Sequence, residues 1–271
     1  MPNGDVEGQM AEIKDILAIL NVEDYPETYQ FLSFIVNGEN EDFSDLYEIA
    51  TDLVSCDIHV PMHKLVFDFA VALYEDEIEC GNEYAMNDLG ALYYDGRGCN
   101  RDFTKAVYYY EKAAENGSRQ AQENLGFCYY YGRNMPVDYE KAFNYFALGA
   151  FDGNLASLYK IGDMYQNGYY VKKNEKEAFF IYNRCIETMT DEAAPTVAGP
   201  VFLRLGNAFL YGKGTEPDFK KALLFFQNAE LYLYDMVNHG EFMYKKSLQA
   251  AVDGQKKARE MLSKLLPDRE W

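Results

Sequence analysis

Nowhere does the sequence hold eighteen consecutive apolar residues, and a helix needs about that many to cross a bilayer, so no membrane span is expected. Residues Met1 to Met10 lack the basic start and apolar stretch of a secretory leader, which points to the cytoplasm. Cysteine is sparse: Cys56, Cys80, Cys99, Cys128 and Cys185 are odd in number and contain no Cys-x-x-Cys pair. That argues for reduced thiols and against a disulfide framework or a zinc site. Only three histidines occur, His59, His63 and His239. The first two are four apart, but Pro61 between them interrupts the helix that zinc ligation at that spacing would need. Neither a metal, a cofactor nor a catalytic triad is expected. A basic stripe is also missing, so nucleic-acid phosphates are not an expected partner.

Cations are scarcest at the start. Residues 1–80 hold 19 acidic side chains against Lys14 and Lys64, which places −17 of the total charge of −19 there. Residues 241–271 carry seven Lys or Arg against five acids. An acidic face keeps a protein in solution, and it also presents a negative field to a basic partner. The opposed ends could promote head-to-tail association, although a monomer is the default expectation.

What is abundant is self-similarity. Leu89-Gly90, Leu125-Gly126, Ile161-Gly162 and Leu205-Gly206 are each followed three residues later by an aromatic. The first three stand 36 residues apart and the fourth follows after 44. Such a period is that of a solenoid, in which one helix pair stacks on the next. In the first unit Ala85, Leu89, Gly90 and Tyr93 share a helical face, Gly96 and Gly98 end it, and Asp102 caps a trailing helix that stops at Gly117. Gly90 lets the neighbouring helix approach closely, while Leu89, Tyr93 and Tyr109 fill the space between helices. Before the regular units, apolar periodicity predicts a helix pair within the first 40 residues. Two more helices are expected, one capped by Ser44 and one running from Pro61 toward Gly81. Thr188 to Pro200 reads as an insertion that lengthens a trailing helix or forms a surface loop.

These residues resemble the Sel-1-like repeats, relatives of the tetratricopeptide repeat. The shared pattern is an Ala, Leu-Gly four residues on, Tyr-x-x-Gly-x-Gly, an Asp, Lys-Ala, an aromatic pair, and Ala-Ala-Glu-x-Gly. Ala85 to Gly117 matches it nearly throughout. Ala121 to Gly153 loses the second loop glycine to Asn134; the third unit has Ser157 in the alanine slot and Glu177-Ala178 for Lys-Ala; the fourth starts at Val201. The resemblance implies an all-α, right-handed superhelical solenoid of tetratricopeptide-like helix pairs. Residues 1–80 would be degenerate capping repeats, 81–230 four repeats, and 231–271 C-terminal capping helices.

By the same analogy, a partner-binding concave groove uses positions three before the repeat glycine and one, four and five after it. In the first unit these include Asn87, Tyr94 and Asp95; in the second, Glu123, Phe127, Tyr130 and Tyr131. The third supplies Tyr159, Asp163 and Gln166, and the fourth Asn207 and Tyr211. The set is aromatic, acid and amide without a cation, which suits a protein or peptide bearing basic and apolar side chains. The expectation is therefore a non-enzymatic adaptor, in bacteria often linked to signalling or toxin systems. An alternative is an immunity-type inhibitor whose acidic third blocks a basic toxin or nuclease. A second alternative is a β-lactamase-like hydrolase, because Ser157-Leu158-Tyr159-Lys160 matches Ser-x-x-Lys. Ser-Asp-Asn and Lys-Thr-Gly are absent, however, and Ser157 sits in a packing slot. Gly96-Arg97-Gly98 and Gly212-Lys213-Gly214 follow helix ends rather than strands, so they read as turns and not phosphate cradles.

Overall fold

The computed structural model describes residues 64–96, 99–191, 194–238 and 242–265, together with positions 14, 17, 18, 29, 32 and 33. The helices expected in the first 40 residues and after Ser44 fall outside that range, as do all three histidines. The described residues contain ten α-helices, one short 3₁₀ turn and no strand. They belong to two compact units, one ending at Pro136 and one starting at Val137.

The first unit comprises α1 (Lys64–Glu79), α2 (Glu83–Asp95), α3 (Phe103–Glu115) and α4 (Arg119–Tyr131), each packed against the next. The second comprises α5 (Tyr139–Phe151), α6 (Leu155–Asn167), α7 (Glu175–Thr188), α8 (Ala194–Tyr211), α9 (Phe219–Asn238) and α10 (Lys245–Leu265). Local sequence explains the boundaries. Asn82, Asp102, Ser118, Asp138, Asn154 and Asn174 each accept a hydrogen bond from a backbone N–H of the first turn that follows. The leading helices α2, α4 and α6 end at Gly96, Gly132 and Gly168 in the left-handed conformation.

The repeat's aromatic and its cap are joined by one recurring bond. The N–H of Asp102 donates to the Tyr93 carbonyl at 2.9 Å, that of Asn174 to Tyr165 at 2.8 Å, and that of Asp218 to Phe209 at 2.9 Å. This pins the loop between a leading and a trailing helix, which is why their spacing recurs. Two positions in these loops take positive φ without glycine: Asn134 at 60° and Tyr170 at 61°. Asn tolerates that region better than most residues, and the Asn134 Oδ1 also accepts a long-range bond from Thr104 Oγ1 at 2.9 Å.

The Leu-Gly glycine is the notch into which the trailing helix sets an aromatic ring. A Cβ on Gly90 would lie 2.8 Å from the Tyr110 ring, one on Gly162 2.6 Å from Tyr182, and one on Gly206 2.7 Å from Phe226. In each pair the ring comes twenty residues after the glycine. Tyr110, not the expected Tyr109, is therefore the buried filler of the first unit. Phe226 is held from two sides, since Gly254 of α10 also lies against it.

The insertion differs from expectation. Helix α7 stops at Thr188, and the extra residues lengthen the leading helix α8, which carries Pro200 inside it. Packing outweighs the lost backbone donor: a Cβ on Gly199 would meet Leu233 at 2.9 Å, so α8 and the long α9 are in close contact. Val197, Val201 and Leu205 join Tyr159, Tyr182 and Cys185 in one core cluster.

Candidate functional site

The four groove positions lie toward one face of each leading helix, because the first, second and fourth are four residues apart and the third lies seven after the first. That face changes character along its length. Asn87, Glu123 and Tyr159, near the helix starts, are buried; Asp95, Tyr131 and Tyr211, at the ends, are exposed; Tyr94, Phe127, Tyr130, Gln166 and Asn207 are half-buried. Only the C-terminal ends of these helices offer a surface that a partner can reach.

In the first unit the buried end is polar: Asn124 of α4 donates its amide to Asn87 Oδ1 of α2 at 3.0 Å. Glu123 accepts from Gln120 at 3.3 Å. The open end is aromatic. Tyr94 meets Phe103 edge-on at 5.2 Å between ring centres, and Tyr131 stacks with Phe127 at 6.4 Å and abuts Tyr130 at 4.9 Å. Between these groups sits Arg133, its guanidinium 4.9 Å from the Phe103 ring and 5.6 Å from that of Tyr131. Its charge also acts on the Tyr94 phenol. Burial raises the Tyr94 phenol above its ordinary value despite the opposing pull of this cation. The Arg133 Nε is buried without an acceptor. Asp95 stands in solvent beside the patch.

In the second unit Asp163 is already committed. Its carboxylate accepts two hydrogen bonds from Arg204, one from the Tyr182 hydroxyl at 2.9 Å, and lies 3.7 Å from Lys160 Nζ. Burial alone would raise this carboxyl, but the Arg204 charge and hydrogen bonds, with Lys160 and Tyr182, hold its pKa below the usual range. Arg204 also lies 4.7 Å from the Tyr159 ring, so Tyr159 and Asp163 are parts of one internal cluster. Gln166 donates to Glu175 at 3.4 Å and Asn207 to its own helix at Leu203 at 2.9 Å. Tyr211 is exposed, yet its hydroxyl accepts from Lys257 at 3.2 Å and Lys213 lies 5.7 Å from its ring.

The set itself holds no cation, but cations from outside it touch its members: Lys160 and Arg204 in the second unit and Arg133 in the first. Sequence reasoning passed over Lys160 and Arg204 because it skipped the position two before each glycine. That column reads Asp88, Asn124, Lys160 and Arg204, polar in every unit on helices otherwise rich in apolar residues. That uniform polarity was the available signal.

Ser157 is fully buried, its Oγ has no hydrogen-bond partner, and a Cβ on Gly149 would lie 2.5 Å from it. It packs against that glycine out of reach of a substrate. Cys128 and Cys185 are buried, and burial pushes both thiols up to about 12. Among the described residues no acidic, histidine and cysteine side chains converge as a metal site, and no helix is long and apolar enough to cross a membrane.

Comparison with known proteins adds the following. The Sel1 repeat matches residues 83–118, 119–151, 155–184 and 203–230. No curated protein is similar in sequence. A Sel1 repeat protein from Oxalobacter formigenes is similar in structure, with a TM-score of 0.59 and 22% identity over 89% of this chain and 100% of that one. A protective antigen of uropathogenic Escherichia coli strains, displaying an SLR fold, gives a TM-score of 0.53 at 18% identity. That match covers 93% of this chain and 56% of the antigen. At such identities the likeness establishes the fold.

Proposed function

The chain belongs to the Sel1 repeat family, whose repeats generally mediate protein–protein contact, and we propose that it is a non-enzymatic adaptor. Its leading-helix face binds a protein or peptide carrying apolar and basic side chains. The observation that supports this most is the open aromatic surface of the first unit, formed by Tyr94, Phe127, Tyr130 and Tyr131 with Asp95 at its edge. Tyrosines give large, rigid contact area with a polar tip, which suits the anchor of an interface. Asp95 offers a carboxylate to a ligand Lys or Arg. Arg133 is pinned among the rings, where it holds the aromatic side chains in place. The buried members of the set in the first unit, Asn87 and Glu123, lie nearer the starts of the same helices.

A phage-displayed library of random peptides tests the reading. Selection on the wild-type chain is expected to enrich sequences in which Lys or Arg alternates with apolar residues. Selection on Asp95→Lys is expected to lose the basic preference while retaining the apolar one. Enrichment of acidic peptides by the wild type, or identical sequences from both proteins, would overturn the assignment.

A further inference from the structure

One strongly charged surface takes no part in that reading. Helix α10 buries Ala251, Gly254, Gln255, Ala258 and Leu262 against the second unit, and its opposite face is open. It carries six Lys or Arg against Asp253 and Glu260, an excess of cations in a chain whose net charge is −19. Lys256, Arg259 and Lys264, with Glu260 and Ser263, line an open depression of about 610 Å³. Arg259 is tied to Gln255 at 3.2 Å, whereas Lys256 and Lys264 are exposed and form no ion pair among the described residues.

We propose that this face of α10 docks the acidic first eighty residues of a second copy of the chain. Charge complementarity selects that occupant. Residues 1–80 carry 19 acids against two lysines, the opposite balance to α10, and every copy brings both surfaces at equal concentration. The contact joins two different surfaces, so it is heterologous: each added copy leaves one α10 face and one acidic segment unsatisfied. Its α10 side is carried by the exposed charges of Lys256 and Lys264, so salt weakens it. This goes beyond the adaptor reading, uses different residues, and departs from the monomer that sequence alone suggests.

Sedimentation velocity of the full chain tests it, read against protein concentration at about 50 mM and about 500 mM salt. The wild type is expected to rise above monomer mass at low salt and return to it at high salt. Lys256→Glu with Lys264→Glu should remain at monomer mass in both, with helical circular dichroism unchanged. The milder pair Lys256→Gln and Lys264→Gln should weaken association by at least about tenfold and serves if the reversed pair fails to fold. The reversed variant keeps its acidic segment, so added to the wild type it should cap and shorten the assemblies. A wild type that stays at monomer mass throughout overturns the proposal, as does association that the charge changes leave intact. Salt-sensitive compaction at monomer mass would place the contact within one chain and equally overturn it.

Discussion

Replacing Gly162 with alanine places a methyl group where the structure has no room. The added Cβ would lie 2.6 Å from Cε1 of Tyr182, 3.0 Å from Cδ1 and 3.2 Å from Cζ. Carbon atoms pack at about 3.5–4.0 Å, so the ring must retreat by about 1 Å. It cannot do so freely. Tyr182 is buried, and its hydroxyl is bonded at 2.9 Å to Asp163, which Arg204 holds in turn. Overpacking of this kind costs about 1–3 kcal/mol, and a strained hydrogen bond about 1 more. Alanine returns about 1 kcal/mol through its better helix propensity. The net expectation is a loss of about 1–3 kcal/mol, or a fall in Tm of about 2–12 °C for a chain of this size. Gly90→Ala is the matched comparison: the Tyr110 ring is as close, at 2.8 Å, but no described residue anchors its hydroxyl, so the loss should be smaller. Thermal and urea unfolding of both variants gives the two numbers. Adding Tyr182→Phe to Gly162→Ala releases the anchor, so the double variant should lose at least about 0.5 kcal/mol less than the sum of the singles. Gly162→Ala at or above wild-type stability would refute the argument that the repeat glycine exists to seat an aromatic ring.

Asp163→Asn should destabilise by about 3–5 kcal/mol near neutral pH, because Arg204 and Lys160 lose their shared buried counter-charge. The folded pKa of Asp163 is depressed, so its contribution is complete above the unfolded value of about 3.9 and fades as pH falls through the folded one; unfolding curves of wild type and variant should converge below about pH 4. Phe226→Ala should cost about 3–5 kcal/mol in urea unfolding, since this fully buried ring packs against both Gly206 and Gly254. With a thiol reagent at pH 8, exposed Cys80 should react within the mixing phase, whereas Cys128 and Cys185 should wait on unfolding.

The repeat was legible because its parts are local. A leucine and glycine on one helical face, an aromatic three residues on, and an Asp or Asn cap all act within one helix pair, as the bond from the Asp102 N–H to the Tyr93 carbonyl illustrates. Depth was not legible. Asn87 and Asp95 share a helical face, yet whether each is buried depends on the neighbouring leading helix, as the Asn124 bond to Asn87 illustrates. The Asp163–Arg204 pair joins residues 41 apart in sequence, beyond any local pattern. The insertion misled for a related reason. Pro195 and Pro200 suggest a loop by local rules, but the contact of Gly199 with Leu233 secures a helix there.

The most direct measurement is the affinity of the wild-type chain and of the Tyr94→Ala, Tyr130→Ala, Tyr131→Ala variant for a protein captured from lysate on the immobilised chain. Tyr159 is left intact because it is buried against Arg204. The account predicts a loss of at least about 2 kcal/mol, some thirtyfold in Kd, as expected for aromatic anchors, with helical content unchanged. Equal affinity for the folded variant would contradict the assignment of binding to the leading-helix tyrosines.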